Sequence, residues 1–137
     1  MAAPQIEPHI TRQAIREILR HWQRGEVNAV MVLEWADIHV NHPDAQYADQ
    51  EQEGSVAHEI LLMLSCLDMH WVTVDDMPWY LELLDTPAGR FLDGWRKFCE
   101  RLEGVDMEAR RRQLKDDPLY HLGAGKDAEP SGEKDLF

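Results

Sequence analysis

"QEGSVAHEILLMLSCLDMH", residues 52–70, is the stretch that decides the fold. Val56, Ile60, Met63, Leu64 and Leu67 recur at helical spacing on one face, and Leu61, Leu62 and Cys66 widen it. A helix apolar over so much of its circumference belongs at the centre of a bundle, with other helices around it.

Helical signals lie on both sides. Upstream, Thr11 reads as an N-cap and Gly25 as a stop, with Ile15, Ile18, Leu19 and Trp22 forming a buried stripe between them. A second helix starts after Asn28, where Val27 and Val32 are spaced for a hydrophobic staple. It runs to about Val40 and stops at "NHPDAQ", since Pro43 pushes His42 out of helical geometry. Downstream, Thr73 and Asp76 resemble a capping box, and Pro78 fits only within the first turn of the fourth helix, which ends near Leu84. Thr86 as cap and Pro87 at the first helical position predict the next start. From there Phe91, Leu92, Trp95, Phe98, Cys99 and Leu102 trace one stripe to Gly104. Asp106 caps a sixth helix that ends before Pro118.

No period-2 strand pattern and no internal repeat is present. Beyond Tyr120, "HLGAGKDAEPSGEKDLF" is polar and Gly-rich, which predicts a disordered tail. The expected architecture is all-α: a single-domain bundle of about six short amphipathic helices over residues 1–120, with a flexible tail over 121–137.

The chain has 137 residues, 44% of them hydrophobic, enough for one core. Its 14 basic and 26 acidic residues give a net charge of −12, which argues against binding a nucleic-acid backbone and favours a basic partner. The opening residues lack the charged-then-apolar pattern of a secretory signal. The longest apolar run, "ILLML" at 60–64, falls far short of the roughly 20 residues that span a bilayer. Cys66 and Cys99 lie inside apolar helical patterns and read as small buried hydrophobes, not as a disulfide. A soluble protein of a reducing cytoplasm, with no membrane contact and no cofactor, is expected.

The charge is unevenly placed. Residues 25–89 contain no lysine or arginine but thirteen acids: Glu26, Glu34, Asp37, Asp44, Asp49, Glu51, Glu53, Glu59, Asp68, Asp75, Asp76, Glu82 and Asp85. The rest of the chain nearly balances, 14 basic residues against 26 − 13 = 13 acidic ones. Solvated surfaces ordinarily mix both signs, because like charges repel. Part of the excess could be neutralised internally by Arg12, Arg16, Arg20 and Arg24, an i, i+4 column on the first helix. The remainder is either an ordinary solvated surface that has drifted acidic or a docking face for a basic protein, where acidic patches accelerate association and select the partner. Trp22 and Trp95 lie on clear apolar stripes; Trp35, Trp79 and Tyr80 suit either core or interface.

Catalytic chemistry finds little support. His39 and His42 are three apart and would need His58 or Asp44 to complete a metal site, and "HE" at 58–59 lacks the second histidine of a metalloprotease. Cys66 with His70 one turn on lies in the most apolar helix, where a thiol is least reactive. Ser55 and Ser65 have no nucleophile-elbow pattern, and no Gly-rich phosphate loop follows a strand. The triplet "RRR" at 110–112 reads as a solvated face near Asp106 and Glu108.

With its acidic, aromatic-rich middle ("EWADIHVNHPDAQYADQEQE", then "WVTVDDMPWYLELLD"), the chain resembles the small helical immunity proteins of bacteria, which neutralise a toxin by covering it. The colicin type inhibits nuclease toxins through acidic surfaces that imitate nucleic-acid charge. The resemblance is one of size, helical pattern and charge; it carries no residue-level motif and assigns no residue a role. It implies a non-enzymatic domain that sequesters a basic protein, plausibly a nuclease-like toxin. From the charge pattern itself, Asp44, Asp49, Glu51, Glu53, Asp75 and Asp76 are the expected contacts, with Trp79 or Tyr80 as anchor. Two other readings remain: a self-associating adaptor with an aromatic seam, and a metal-dependent enzyme using His39, His42 and His58.

Overall fold

A computed structural model describes residues 8–120. The expected tail over 121–137 lies outside the described residues. Helix α1, Arg12–Gln23, is capped by Thr11, whose hydroxyl accepts from the Ala14 amide at 3.1 Å. It ends in a Schellman motif: Gly25, at φ 77°, donates to Trp22 O while Glu26 donates to His21 O, so two carbonyls of the last turn are satisfied. Helix α2, Ala29–Val40, is capped by Asn28, which accepts from the Met31 amide at 2.9 Å.

Helix α3, Val56–Leu64, starts at Ser55, whose Oγ accepts from the His58 amide. A one-turn 3-10 helix, Val74–Asp76, leads directly into α4, Met77–Leu84, which carries Pro78 in its first turn. The Asp76 carboxylate accepts from the Thr73 amide at 3.1 Å, the reach-back half of the expected capping box. Helix α5 covers Phe91–Glu103, and α6, Met107–Leu114, is capped by Asp106.

The chain is an all-α bundle with α3 at its centre, packed against α1, α2 and α4, while α5 packs on α4. Val56, Ile60, Leu61 and Leu64 of α3 are fully buried, with Leu67 just beyond its end. Burying a side chain of this kind is worth roughly 1.5–3 kcal/mol, so this face supplies a large share of the core. Around it lie Ile15, Leu19 and Trp22 of α1, Val32 and Ala36 of α2, and Met77, Leu83 and Leu84 of α4. Leu62 departs from the expected face and is largely exposed.

Three local features differ from the sequence reading. Helix α3 ends at Leu64, six residues early: Ser65 Oγ donates to Leu62 O at 2.8 Å, and the amides of Cys66 and Leu67 take carbonyls three residues back. These bonds tighten the backbone out of α-helical register. Helix α5 begins at Phe91 instead of after Thr86. The Thr86 carbonyl, which would open such a helix, accepts from Arg12 Nη1 instead, and Arg90 N bonds to Pro87 O in a turn where Gly89 has φ 81°. Finally, β1, His9–Ile10, pairs in parallel with β2, Gln46–Tyr47. Two residues per strand are too few for a period to register in sequence, and the bridge ties the entry to α1 onto the loop after α2.

Candidate functional site

The thirteen acids of residues 25–89 divide into two groups. Five are paired within the protein: Glu26 with Arg24 and His21, Asp49 with Arg12, Asp76 with Arg110, Glu82 with Arg101, and Asp85 with Arg16. The other 13 − 5 = 8, Glu34, Asp37, Asp44, Glu51, Glu53, Glu59, Asp68 and Asp75, make no ion pair among the described residues. The arginine column of α1 therefore works in part. Arg12 and Arg16 reach across to distant acids, Arg24 meets Glu26 two residues on, and Arg20 points to solvent.

Several expected contact residues turn out to be structural. Asp76 is 2% exposed and held bidentately by Arg110, and Tyr80 is 1% exposed with its ring edge-on to Phe98 at 5.1 Å. Neither reaches a partner in the folded chain, because the stripe that makes α4 a helix also turns Tyr80 inward. Asp49 joins Arg12, Ser55 and the loop before α3. Burial alone would raise its carboxyl pKa, but the Ser55 hydroxyl, Arg12 Nε at 2.7 Å and the Ala57 amide at 3.1 Å together hold it below the usual carboxylate range. Glu51 is half-buried and accepts from the Gly89 amide at 2.7 Å, fastening its loop to the turn before α5.

Asp44, Glu53 and Asp75 are exposed. Asp44 follows the Pro43 turn, where its amide donates to His42 Nδ1 at 2.9 Å. Trp79 is half-buried and lines a groove of about 490 Å³ between α4 and α5, together with Leu83 and Phe98. Arg90 and Lys97 line the same groove, and its acids Glu82, Asp85 and Asp93 are all in ion pairs. The groove that Trp79 lines is thus charge-mixed, and none of the eight unpaired acids lines it.

The histidines are held apart by separate local bonds. His39 Nδ1 donates to Trp35 O at 2.7 Å, His42 accepts from the Asp44 amide, and the His58 ring packs against Tyr47, tilted by 31° with centroids 4.5 Å apart. Among the described residues no group of three or more His, Cys, Asp or Glu side chains is placed to hold a metal ion. Cys66 and Cys99 are free and half-buried, and burial, followed by the nearby Glu103 charge, pushes the Cys99 thiol pKa up. A thiol so shifted is a poor nucleophile. Among the described residues no helix is long and apolar enough to cross a membrane.

The sequence reading passed over the outward face of α2. Val30, Met31, Glu34, Asp37 and Ile38 are all exposed there, although α2 packs against α3 and α1 through Val32 and Ala36. The signal was present in "AVMVLEWADIHV": its apolar residues are spread round the helix, so at the edge of a bundle some of them must be exposed beside Glu34 and Asp37. Comparison of the chain with protein-family models, curated proteins and solved structures finds no match in any of the three.

Proposed function

We propose that the chain is a non-enzymatic protein-binding domain that sequesters a strongly basic protein, in the manner of bacterial immunity proteins that cover a nuclease toxin. The observation that carries this is the set of eight acids that make no ion pair among the described residues, in a segment devoid of lysine and arginine. Like charges left without counter-ions repel one another, and a cationic partner relieves that repulsion. A nuclease is a fitting partner because its own surface must carry the lysines and arginines that neutralise phosphates. A reducing cytoplasm suits the two free thiols.

The test is the association rate with a basic partner recovered from the native cell, measured at rising salt for the parent chain and for Glu53→Lys with Asp75→Lys. Both positions are exposed and make no ion pair among the described residues. Association is expected to fall steeply with salt and to slow on reversal. Rates indifferent to both would rule the proposal out.

A further inference from the structure

We infer that the outward face of α2 is the seat for a basic amphipathic helix of the partner, with Val30, Met31 and Ile38 taking its apolar side and Glu34 and Asp37 its cations. This rests on the reading of the chain as a binder of a basic protein, and it locates the contact away from the loops that first suggested it. The five positions fall at i, i+1, i+4, i+7 and i+8, one stripe roughly 12 Å long on a helix rising about 1.5 Å per residue. Val30 is 43% exposed, Met31 49% and Ile38 49%, so three of the large exposed apolar side chains of the described residues share one face. Isolated exposed apolar residues are ordinary, whereas three on one helix face, interspersed with two acids, suit an interaction surface.

Charge selects the occupant. Both ionisable groups on the stripe are acidic; among the described residues the Glu34 carboxylate has no hydrogen bond or ion pair, and the Asp37 carboxylate accepts only from the Asn41 side chain at 2.8 Å. A second copy of this chain is a poor fit, because a two-fold contact sets the same patch against itself and brings acid onto acid. An anionic bilayer is repelled for the same reason. A helix with an apolar stripe flanked by Lys or Arg satisfies both halves of the surface, in the helix-against-helix mode of recognition.

The probe is a synthetic Lys/Leu peptide several turns long with leucines at helical spacing, beside a peptide of the same composition scrambled to break that spacing. Each is titrated into the full chain at low salt and followed by amide NMR shifts. The patterned peptide is expected to bind more tightly than the scrambled one and to shift residues 30–38. Met31→Ser with Ile38→Ser should weaken it about tenfold, the scale set by losing two partly buried side chains, while circular dichroism stays at the parent level. Binding mapped to Glu53 and Asp75, and unaffected by the double substitution, overturns this placement but leaves the basic-partner reading standing. No binding of either peptide removes both. A dimer in sedimentation that the double substitution dissociates assigns the face to a second copy and overturns the inference.

Discussion

Arg110 on α6 holds both carboxylate oxygens of Asp76, at 2.7 and 2.9 Å, and donates to the Trp71 carbonyl at 3.0 Å. With side chains 15% and 3% exposed, the pair is nearly out of water, and it pins α6 to the turn that opens α4. Trp71 beside it has φ 59°, a left-handed conformation uncommon for so bulky a residue. Arg110→Met strands a buried carboxylate and is expected to cost about 3–5 kcal/mol. Adding Asp76→Asn should recover part of that loss, since no buried charge then remains and the Thr73 amide keeps an acceptor. Urea midpoints at constant m compare the two chains.

Asp49 couples stability to acid. Its folded pKa lies below the usual range, so its contribution is complete above the unfolded value near about 4 and is lost as pH falls through the lower folded value. Asp49→Asn should lower stability near neutral pH and flatten the acid limb of the stability profile. Arg12, freed of its carboxylate, still donates to the Leu84 carbonyl at 3.0 Å and to that of Thr86, so the loss should be smaller than for Arg110→Met. Urea unfolding from neutral pH down to about 3 reads both effects.

What was legible follows from where the deciding interactions lie. The starts of α1, α2 and α6 were visible because Thr11, Asn28 and Asp106 each bond an amide three residues on. The start of α5 was not, because Arg12, 74 positions before Thr86, takes the carbonyl that would open the helix. The same distance effect hid the fate of the acids. Composition showed a one-signed segment, but nothing local to Asp76 announces Arg110, nor does anything near Asp49 announce Arg12. Tyr80 could have been assigned to the core from its spacing with Met77, Leu83 and Leu84, all of them buried. The face of α2 was readable as excess apolarity, but only the packing shows which side is left outside.

Two buried phenols predict an alkaline limit. Burial, with the Asp76 charge adding to it, pushes the Tyr80 pKa far above its ordinary value, and burial with Asp117 does the same for Tyr120, whose hydroxyl donates to the Val72 carbonyl. A tyrosine whose folded pKa is raised contributes stability that is complete below the unfolded value near about 10 and is lost as pH climbs toward the folded one. Phenolate absorbance and loss of helix should therefore rise together above about pH 10. Tyr80 Oη only approaches Met63 Sδ at 3.8 Å, so Tyr80→Phe should be nearly neutral at neutral pH and resist alkali better. Tyr120→Phe, by contrast, leaves the Val72 carbonyl short of a donor and should cost about 1–3 kcal/mol at any pH.

Gly94 tests how closely α5 approaches the turn before it. In an ordinary helix interior Gly→Ala gains roughly 1 kcal/mol. Here a Cβ would lie 2.1 Å from Thr86 Oγ1, 2.6 Å from its Cγ2 and 2.8 Å from its Cβ. Thr86 is buried and its carbonyl is fixed by Arg12, so it has no easy retreat. Gly94→Ala is expected to destabilise by about 1–3 kcal/mol despite the helical gain. Thr86→Ala should relieve only part of this, because the contact at 2.8 Å persists. Gly104→Ala is the control: its nearest neighbour, Arg101 O, lies at an ordinary 3.5 Å, and it should be neutral or better. A Gly94→Ala chain as stable as the parent would mean that α5 can slide off Thr86, and that the groove beside Trp79 has no fixed width.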